Sequence, residues 1–169
     1  MKLISKHHSK NRHSQRGSIS IETALLLPVL IILTLAAADI FQLLRVEQKL
    51  TNINYNITQM VTTKKTLASQ REIEKFHFYT KFAQQQLNQT IPGEASLVIE
   101  RYSAENLQVL TLLQSGGACN PTAPWPDLRI GTLIRVTLCF QPDQSVYQKL
   151  PWSMWPASGF KSHFIQEVH

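Results

Sequence analysis

The segment from Ile19 to Ala38 is the feature that most limits how this chain can fold. It is almost wholly apolar, Glu22 is its only charged residue, and Asp39 follows it directly. About 20 apolar residues are enough to cross a bilayer as a helix. Pro28 lies inside the segment, and a membrane helix tolerates proline when neighbouring groups satisfy the freed carbonyl. The segment therefore predicts a transmembrane helix over residues 18–39, in contact with the lipid bilayer and kinked near Pro28.

The positive charge of the chain is concentrated before this segment. The 169 residues carry a net charge of +6, and residues 1–17 hold five of the 17 basic residues and none of the 11 acidic ones. A nucleic-acid-binding domain would need a basic face on its folded part, so no nucleic acid is expected as a partner. Basic residues beside an apolar segment hold that side in the cytoplasm. The sequence therefore predicts a cytoplasmic leader over residues 1–17 and a single-pass membrane protein whose C-terminal part lies outside the cytoplasm.

Two other readings of the segment remain open. A cleavable secretory signal could end at the small residues Ala36 to Ala38, which suit a signal peptidase. A plain signal anchor with no cleavage would also explain the span and the basic leader, but it leaves Gly17 and Glu22 without a role.

Helical periodicity continues past the membrane. An apolar seam follows a 4-3-4-3 spacing, which predicts one helix from about Ser18 to about Ser69. Packing of this seam on the chain's own domain is favoured over a coiled coil, since one short seam is more often core. The seam consists of Val46, Leu50, Ile53, Ile57 and Met60, with Leu43 one step before it and Leu67 one heptad after it.

A second helix and several strands are predicted downstream. Apolar residues at helical spacing indicate a helix over 72–89 that ends before Pro92-Gly93, with His77 packed on its apolar side. Short apolar or alternating runs indicate strands over 97–99, 107–113 and 130–140. The expected architecture is α+β: a soluble helical region over 40–92 and a small β-rich, antiparallel region over 93–169. In the tail, Trp152 and Trp155 are expected to cover the sheet or the helix.

The two cysteines, Cys119 and Cys139, lie in the part predicted to be outside the cytoplasm. In an oxidising compartment such a pair predicts a structural disulfide. Metal binding needs more ligands than two distant cysteines supply, and a thioredoxin-like redox motif needs only two residues between them. No cofactor or metal site is expected.

The stretch Arg16 to Leu30 resembles the N-terminus of TadE-like pseudopilins of the tight adherence (Flp) pilus system. The run Ala38-Asp-Ile-Phe41, the stretch from Arg45 to Tyr55 and the pair of cysteines look more like the TadF branch of that family. Thr23 departs from the pattern, because an aromatic residue commonly follows the glutamate.

The resemblance implies a pilin-like plan and a minor structural role in pilus assembly. It implies cleavage by a prepilin peptidase after Gly17, which would leave Ser18 as the first residue, and a role for Glu22 in assembly. The implied partners are the prepilin peptidase, the major pilin, other pseudopilins and the inner-membrane platform of the secretion machinery. A free α-amine on Ser18 would be mostly cationic at neutral pH. Glu22 of one subunit could pair with that amine on a neighbour and so fix the axial register.

The sequence predicts no enzyme, because it shows no nucleophile–base pair, phosphate loop or metal spacing. A pseudopilin of another type IV pilus or of a type II secretion system is a second hypothesis. A signal-anchored periplasmic binding domain is a third.

Overall fold

The computed structural model describes residues 15–63, 75–127, 131–147, 156 and 158–168, and for residues 15–22 and 146–147 the backbone alone. The helices are α1 (Gln15–Val61), α2 (Phe76–Asn88) and the short α3 (Gln144–Tyr147). The strands are β1 (Gly93–Ser103), β2 (Gln108–Ser115), β3 (Thr132–Pro142) and β4 (Phe160–Glu167). The chain divides into two compact units, Met1–Asp39 and Ile40–His169.

In the first unit, α1 contains Pro28 and exposes its apolar side chains. The kink predicted near Pro28 stays a prediction. In the second unit, helices and a four-stranded antiparallel sheet confirm the expected α+β class.

The seam on α1 packs on its own domain, as predicted. Val46, Leu50, Ile53 and Ile57 are at most 5% exposed and lie in one core cluster with residues of the sheet. The prediction that Met60 continues the buried seam was wrong, because its side chain is 52% exposed and Val61 is fully buried instead. A helix with 3.6 residues per turn drifts from a strict seven-residue repeat, so the position four residues after Ile57 faces the core.

The predicted end of this helix was also wrong. It ends at Val61 and not near Ser69, and Thr62 and Thr63 already lie in a bend. The hydroxyl of Thr62 donates to the carbonyl of Gln59. Such local bonds compete with the helical backbone and favour its end. Leu67 and Ser69 lie outside the described residues.

Helix α2 begins at Phe76 and ends at Asn88, within the predicted range 72–89. Residues 72–74 of that range lie outside the described residues. It buries Phe76, Thr80, Ala83 and Leu87 at helical spacing. His77 is exposed, so the prediction that it packs on the apolar side was wrong. One residue further along a helix turns the side chain by about 100°, and the step from Phe76 to His77 leads out of the core.

The sheet has the order β2-β1-β3-β4, and all three pairings are antiparallel. One face carries the core side chains of the two long strands and meets α1 and α2. The core side chains on these two strands are Ala95, Leu97, Ile99, Ile134, Val136, Leu138 and Phe140. The prediction of three strands was incomplete, since β4 was missed and β1 is much longer than residues 97–99.

A buried asparagine on α1 joins the helix to the sheet. The Asn54 side-chain amide is fully buried and donates to the carbonyl of Val136 at 3.3 Å and to the hydroxyl of Ser162 at 3.2 Å. It thereby contacts β3 and β4 together. Trp152 and Trp155, predicted to cover the sheet or the helix, lie outside the described residues.

Candidate functional site

The three residues singled out at the N-terminus lie on the first turns of α1. The backbone is helical at Gly17, Ser18 and Glu22. Glu22 follows Ser18 by four residues, which is about one turn of helix. The roles predicted for these residues therefore stay predictions.

The apolar segment that follows is exposed on all sides within its own unit. A candidate membrane span covers Thr23–Val61, its most apolar 18-residue window has a mean hydropathy of 2.5, and none of that window is buried. Large side chains along it are exposed to a similar degree, from Leu25 at 68% to Leu35 at 53%. Monomeric soluble proteins rarely expose an apolar surface of this size. The helix is long and apolar enough to cross a membrane, although a signal sequence would meet the same description.

In the second unit, a disulfide joins the loop after β2 to β3, on the face of the sheet opposite the core. Cys119 and Cys139 are bonded with an S–S distance of 2.07 Å and a Cα–Cα distance of 5.7 Å, which confirms the predicted disulfide. Gly116 begins this loop with φ near +91°, a conformation that glycine adopts without strain. The Lys161 ammonium donates to the carbonyl of Asn120 at 2.5 Å and supports the same loop from β4.

A buried ion pair lies beneath this loop. Arg135 on β3 and Glu100 on β1 are direct cross-strand partners, and two guanidinium nitrogens of Arg135 lie 2.7 Å from Glu100 Oε2. Arg135 also donates to the carbonyl of Ala123 in the loop. The side chains of Arg135 and Glu100 are only 7% and 11% exposed, so each charge is compensated by the other and not by water.

Aromatic side chains cover the ion pair. The Arg135 guanidinium lies 4.3 Å from the ring centre of Trp125, and Trp125 stacks on Tyr102 with 5.2 Å between ring centres. Such cation–π contacts gain strength when they are removed from water. The loop is therefore held by a disulfide, an arginine and a stacked tryptophan.

Sequence reasoning missed this cluster. The alternation of side chains along β3 puts Arg135 on the same face as Thr137 and Cys139, but alternation within one strand does not identify a partner for the arginine. Glu100 follows the apolar run 97–99 directly, so an acid and a base on neighbouring strands were the available signal. Their register could not be read, because it depends on the pairing of β1 with β3.

A cavity of about 600 Å³ opens beside the disulfide. Its lining includes Cys139, Glu94, Ser96, Asn120 and Lys161. Among the described residues, no group of three or more His, Cys, Asp or Glu side chains could hold a metal ion.

Comparison with known proteins gave a family match for one part of the chain. Residues 17–53 match the family model of TadE-like proteins. This N-terminal stretch is TadE-like. The match begins at Gly17, covers the whole apolar segment and ends at Ile53 in the buried seam. It covers a minority of the chain, and the TadE-like stretch does not extend over the sheet or the disulfide.

Neither the curated proteins nor the solved structures gave a match to this chain.

Proposed function

We propose that this protein is a minor pseudopilin, a membrane-anchored structural component that assembles a tight adherence (Flp) pilus. The observation that carries the proposal is the course of α1. Its TadE-like first part exposes an apolar surface, and its last turns are buried in the second unit. A helix with both properties suits a subunit that leaves the bilayer for a helical assembly.

The charge distribution supports one orientation. The basic leader over 1–17 would stay in the cytoplasm, and the unit that begins at Ile40 would then lie in the periplasm. The disulfide agrees with this orientation, because disulfides persist in the bacterial periplasm and are rare in the cytosol. Within an extracellular pilus, the same unit would also be in an oxidising environment.

Processing after Gly17 is part of the proposal. A prepilin peptidase would remove the leader and leave Ser18 with a cationic amine. Glu22 would otherwise be an isolated carboxylate at the edge of the lipid, which is costly. A salt bridge from Glu22 to the Ser18 amine of a neighbouring subunit would offset that cost and set the axial register.

The proposed partners are the prepilin peptidase, the major pilin, other pseudopilins and the inner-membrane platform. The role is structural and not enzymatic. The TadF branch is the finer assignment, supported by the run Ala38 to Phe41, the stretch Arg45 to Tyr55 and the disulfide pair.

Deletion and complementation test the proposal. In a strain that makes tight adherence pili, deletion of this chain should abolish or greatly reduce pili counted by electron microscopy, and the full chain should restore them. A matched variant, with residues 1–39 replaced by a cleavable secretory signal, should reach the periplasm and fail to restore pili. Normal pili in the deletion strain would reject a role in assembly and favour a signal-anchored periplasmic binding domain. Loss of type II secretion with intact pili would instead favour a pseudopilin of that system.

A further inference from the structure

Strand β2 forms one edge of the sheet, and its outer side is unpaired in the part of the chain that the structure describes. The strand order β2-β1-β3-β4 gives it one neighbour, β1. An unpaired edge presents a row of backbone N–H and C=O groups to any other extended chain.

The two edges of the sheet differ in charge. Strand β4 carries Lys161, His163 and Glu167, which are exposed. Charged side chains are one way in which proteins keep an edge from pairing. Strand β2 has the sequence Gln-Val-Leu-Thr-Leu-Leu-Gln-Ser, with no charged residue, and exposes 48% of Val109 and 59% of Leu110. It lacks the protection that β4 has.

The exposed and regular part of this edge is short. Thr111 pairs with Glu100 and Leu113 pairs with Ile99, so Leu112 is an extra residue in a bulge. Residues 108–111, which precede the bulge, are all exposed, whereas Leu113 is buried. A second strand would therefore be expected to pair along residues 108–111.

We infer that this edge binds the same edge of a second copy of the chain, as an antiparallel pair centred on Leu110. An uncharged edge is best matched by another uncharged edge, and β4 would bring three ionisable side chains without partners on β2. Among the described residues, β2 is the edge strand without charged side chains, so a second copy of β2 is the matching edge. The resulting contact is isologous, with one two-fold axis and the same segment from each copy.

Pairing in this register would remove the exposed side chains of Val109 and Leu110 from water in both copies. Leu110 of one copy lies opposite Leu110 of the other, on the sheet face that carries the core. Val109 lies opposite Thr111 on the other face, and both are β-branched residues, which fit the pleated surface of a sheet. Successive side chains of a strand point to opposite faces of the sheet. A shift of one residue would therefore place Leu110 opposite a residue that belongs to the other face of the second copy, and the pair would lose its two-fold axis.

The pairing segment is short, so the contact in free solution is weak. Two copies held in one membrane are at a much higher effective concentration, which would favour the pair. This last step rests on the proposed membrane anchor, whereas the edge contact itself does not depend on a role in pili.

Cysteine cross-linking tests the register directly. Both native cysteines are in the disulfide, so an added cysteine is the free thiol. Directly opposed residues have Cβ atoms about 4.5–5.5 Å apart, close to the range that a disulfide bridges. Leu110→Cys in the full chain, in membranes of cells that make no pilus, should give a disulfide-linked dimer on oxidation. Gln114→Cys is the matched control on the same strand, because its two copies would lie about 25 Å apart. Its dimer should be roughly tenfold weaker or absent.

Co-purification of two differently tagged copies from the same membranes gives an independent readout. Leu110→Lys in both copies should abolish co-purification, because like charges directly opposite each other repel. A Leu110→Lys copy with a Leu110→Glu copy should restore it. Three results would overturn the inference: no dimer from Leu110→Cys, equal dimers from Gln114→Cys, or stronger cross-linking of Leu110→Cys to a His163→Cys copy than to itself. These outcomes are read without pili, so they are independent of the pilus assay.

Discussion

Arg135 and Glu100 depend on each other inside the sheet. Replacing Arg135 with Met would leave the Glu100 carboxylate buried without a counter-charge, and would remove the guanidinium from Trp125 and from the Ala123 carbonyl. Breaking a buried pair in this way costs about 3–5 kcal/mol. We expect Arg135→Met to lower the free energy of unfolding of the second unit by about that amount in a urea titration followed by tryptophan fluorescence.

Arg101 is the matched control for this prediction. It lies next to Glu100 on β1, but its side chain is exposed. Arg101→Met should change the free energy of unfolding by less than about 0.5 kcal/mol, as surface substitutions usually do. Equal losses from the two variants would contradict the prediction, because the loss would then not come from an uncompensated buried charge.

Glu22 is the residue on which the proposed assembly depends. Glu22→Ala removes the only charge within the apolar segment, so membrane insertion should be unchanged or easier. Without the carboxylate, the subunit loses its partner for a neighbouring Ser18 amine and should be absent from sheared pili, as measured by immunoblotting. Glu47→Ala is the control, since Glu47 is an exposed carboxylate on the same helix beyond the apolar segment. Normal incorporation of Glu22→Ala would contradict the role.

Individual residues were predictable where their chemistry leaves few options. Two cysteines in a part of the chain predicted to lie outside the cytoplasm can pair only with each other, and the Cys119–Cys139 disulfide is confirmed. His77 was placed wrongly, because adjacent positions at the edge of an apolar stripe differ by about 100°. The Arg135–Glu100 pair could not be foreseen, since it needs the register between two strands that lie far apart in the sequence.

The seam of α1 gives a test of its packing as an element. Ile57 is 1% exposed in the core, and Met60, one turn away, is 52% exposed. Ile57→Ala should cost about 2–5 kcal/mol of unfolding free energy, because it removes buried methyl groups and leaves a cavity. Met60→Ala is the control and should change it by less than about 0.5 kcal/mol. If Met60→Ala cost as much as Ile57→Ala, the strict heptad reading of the seam would be right and the packing described above wrong.

The disulfide-tied loop is the second element with a measurable contribution. A bond that closes a loop of about 20 residues should stabilise the fold by roughly 3 kcal/mol in the chain-entropy model. Replacing Cys119 and Cys139 together with Ala should therefore lower the urea midpoint with little change in the folded far-UV spectrum, because Arg135, Trp125 and Lys161 still hold the loop. The wild-type chain with a reducing agent should show the same shift. A midpoint unchanged in both cases would refute a stabilising role for the bond.

Helices were easier to predict than strands in this chain. The 3.6-residue period of Val46, Leu50, Ile53 and Ile57 identified the core face of α1 from sequence alone. Strand β4 was missed because only Phe160 and Ser162 are buried along it, and the residues after Ser162 are partly or largely exposed. Its hydrophobic alternation is weak, and its place in the sheet comes from pairing with β3, which is a contact distant in sequence.

Across the whole molecule, the sequence supported the α+β class and the succession of an apolar helix, a soluble helix and a sheet. The strand order could not be derived, since antiparallel strands with similar patterns can pair in several ways. Pairing of β1 with both β2 and β3 puts Glu100 beside Arg135 and leaves the uncharged β2 at an edge. The buried cluster and the proposed contact between copies both follow from this topology.

We propose that the part of α1 from Ser18 onward is a processed assembly helix and not a plain anchor or a cleaved signal. N-terminal sequencing of the protein from membranes, with and without the prepilin peptidase, tests it most directly. We expect Ser18 as the first residue when the peptidase is present, and a longer chain with the basic leader when it is absent. A first residue at Asp39, or an uncut leader in the presence of the peptidase, would contradict it.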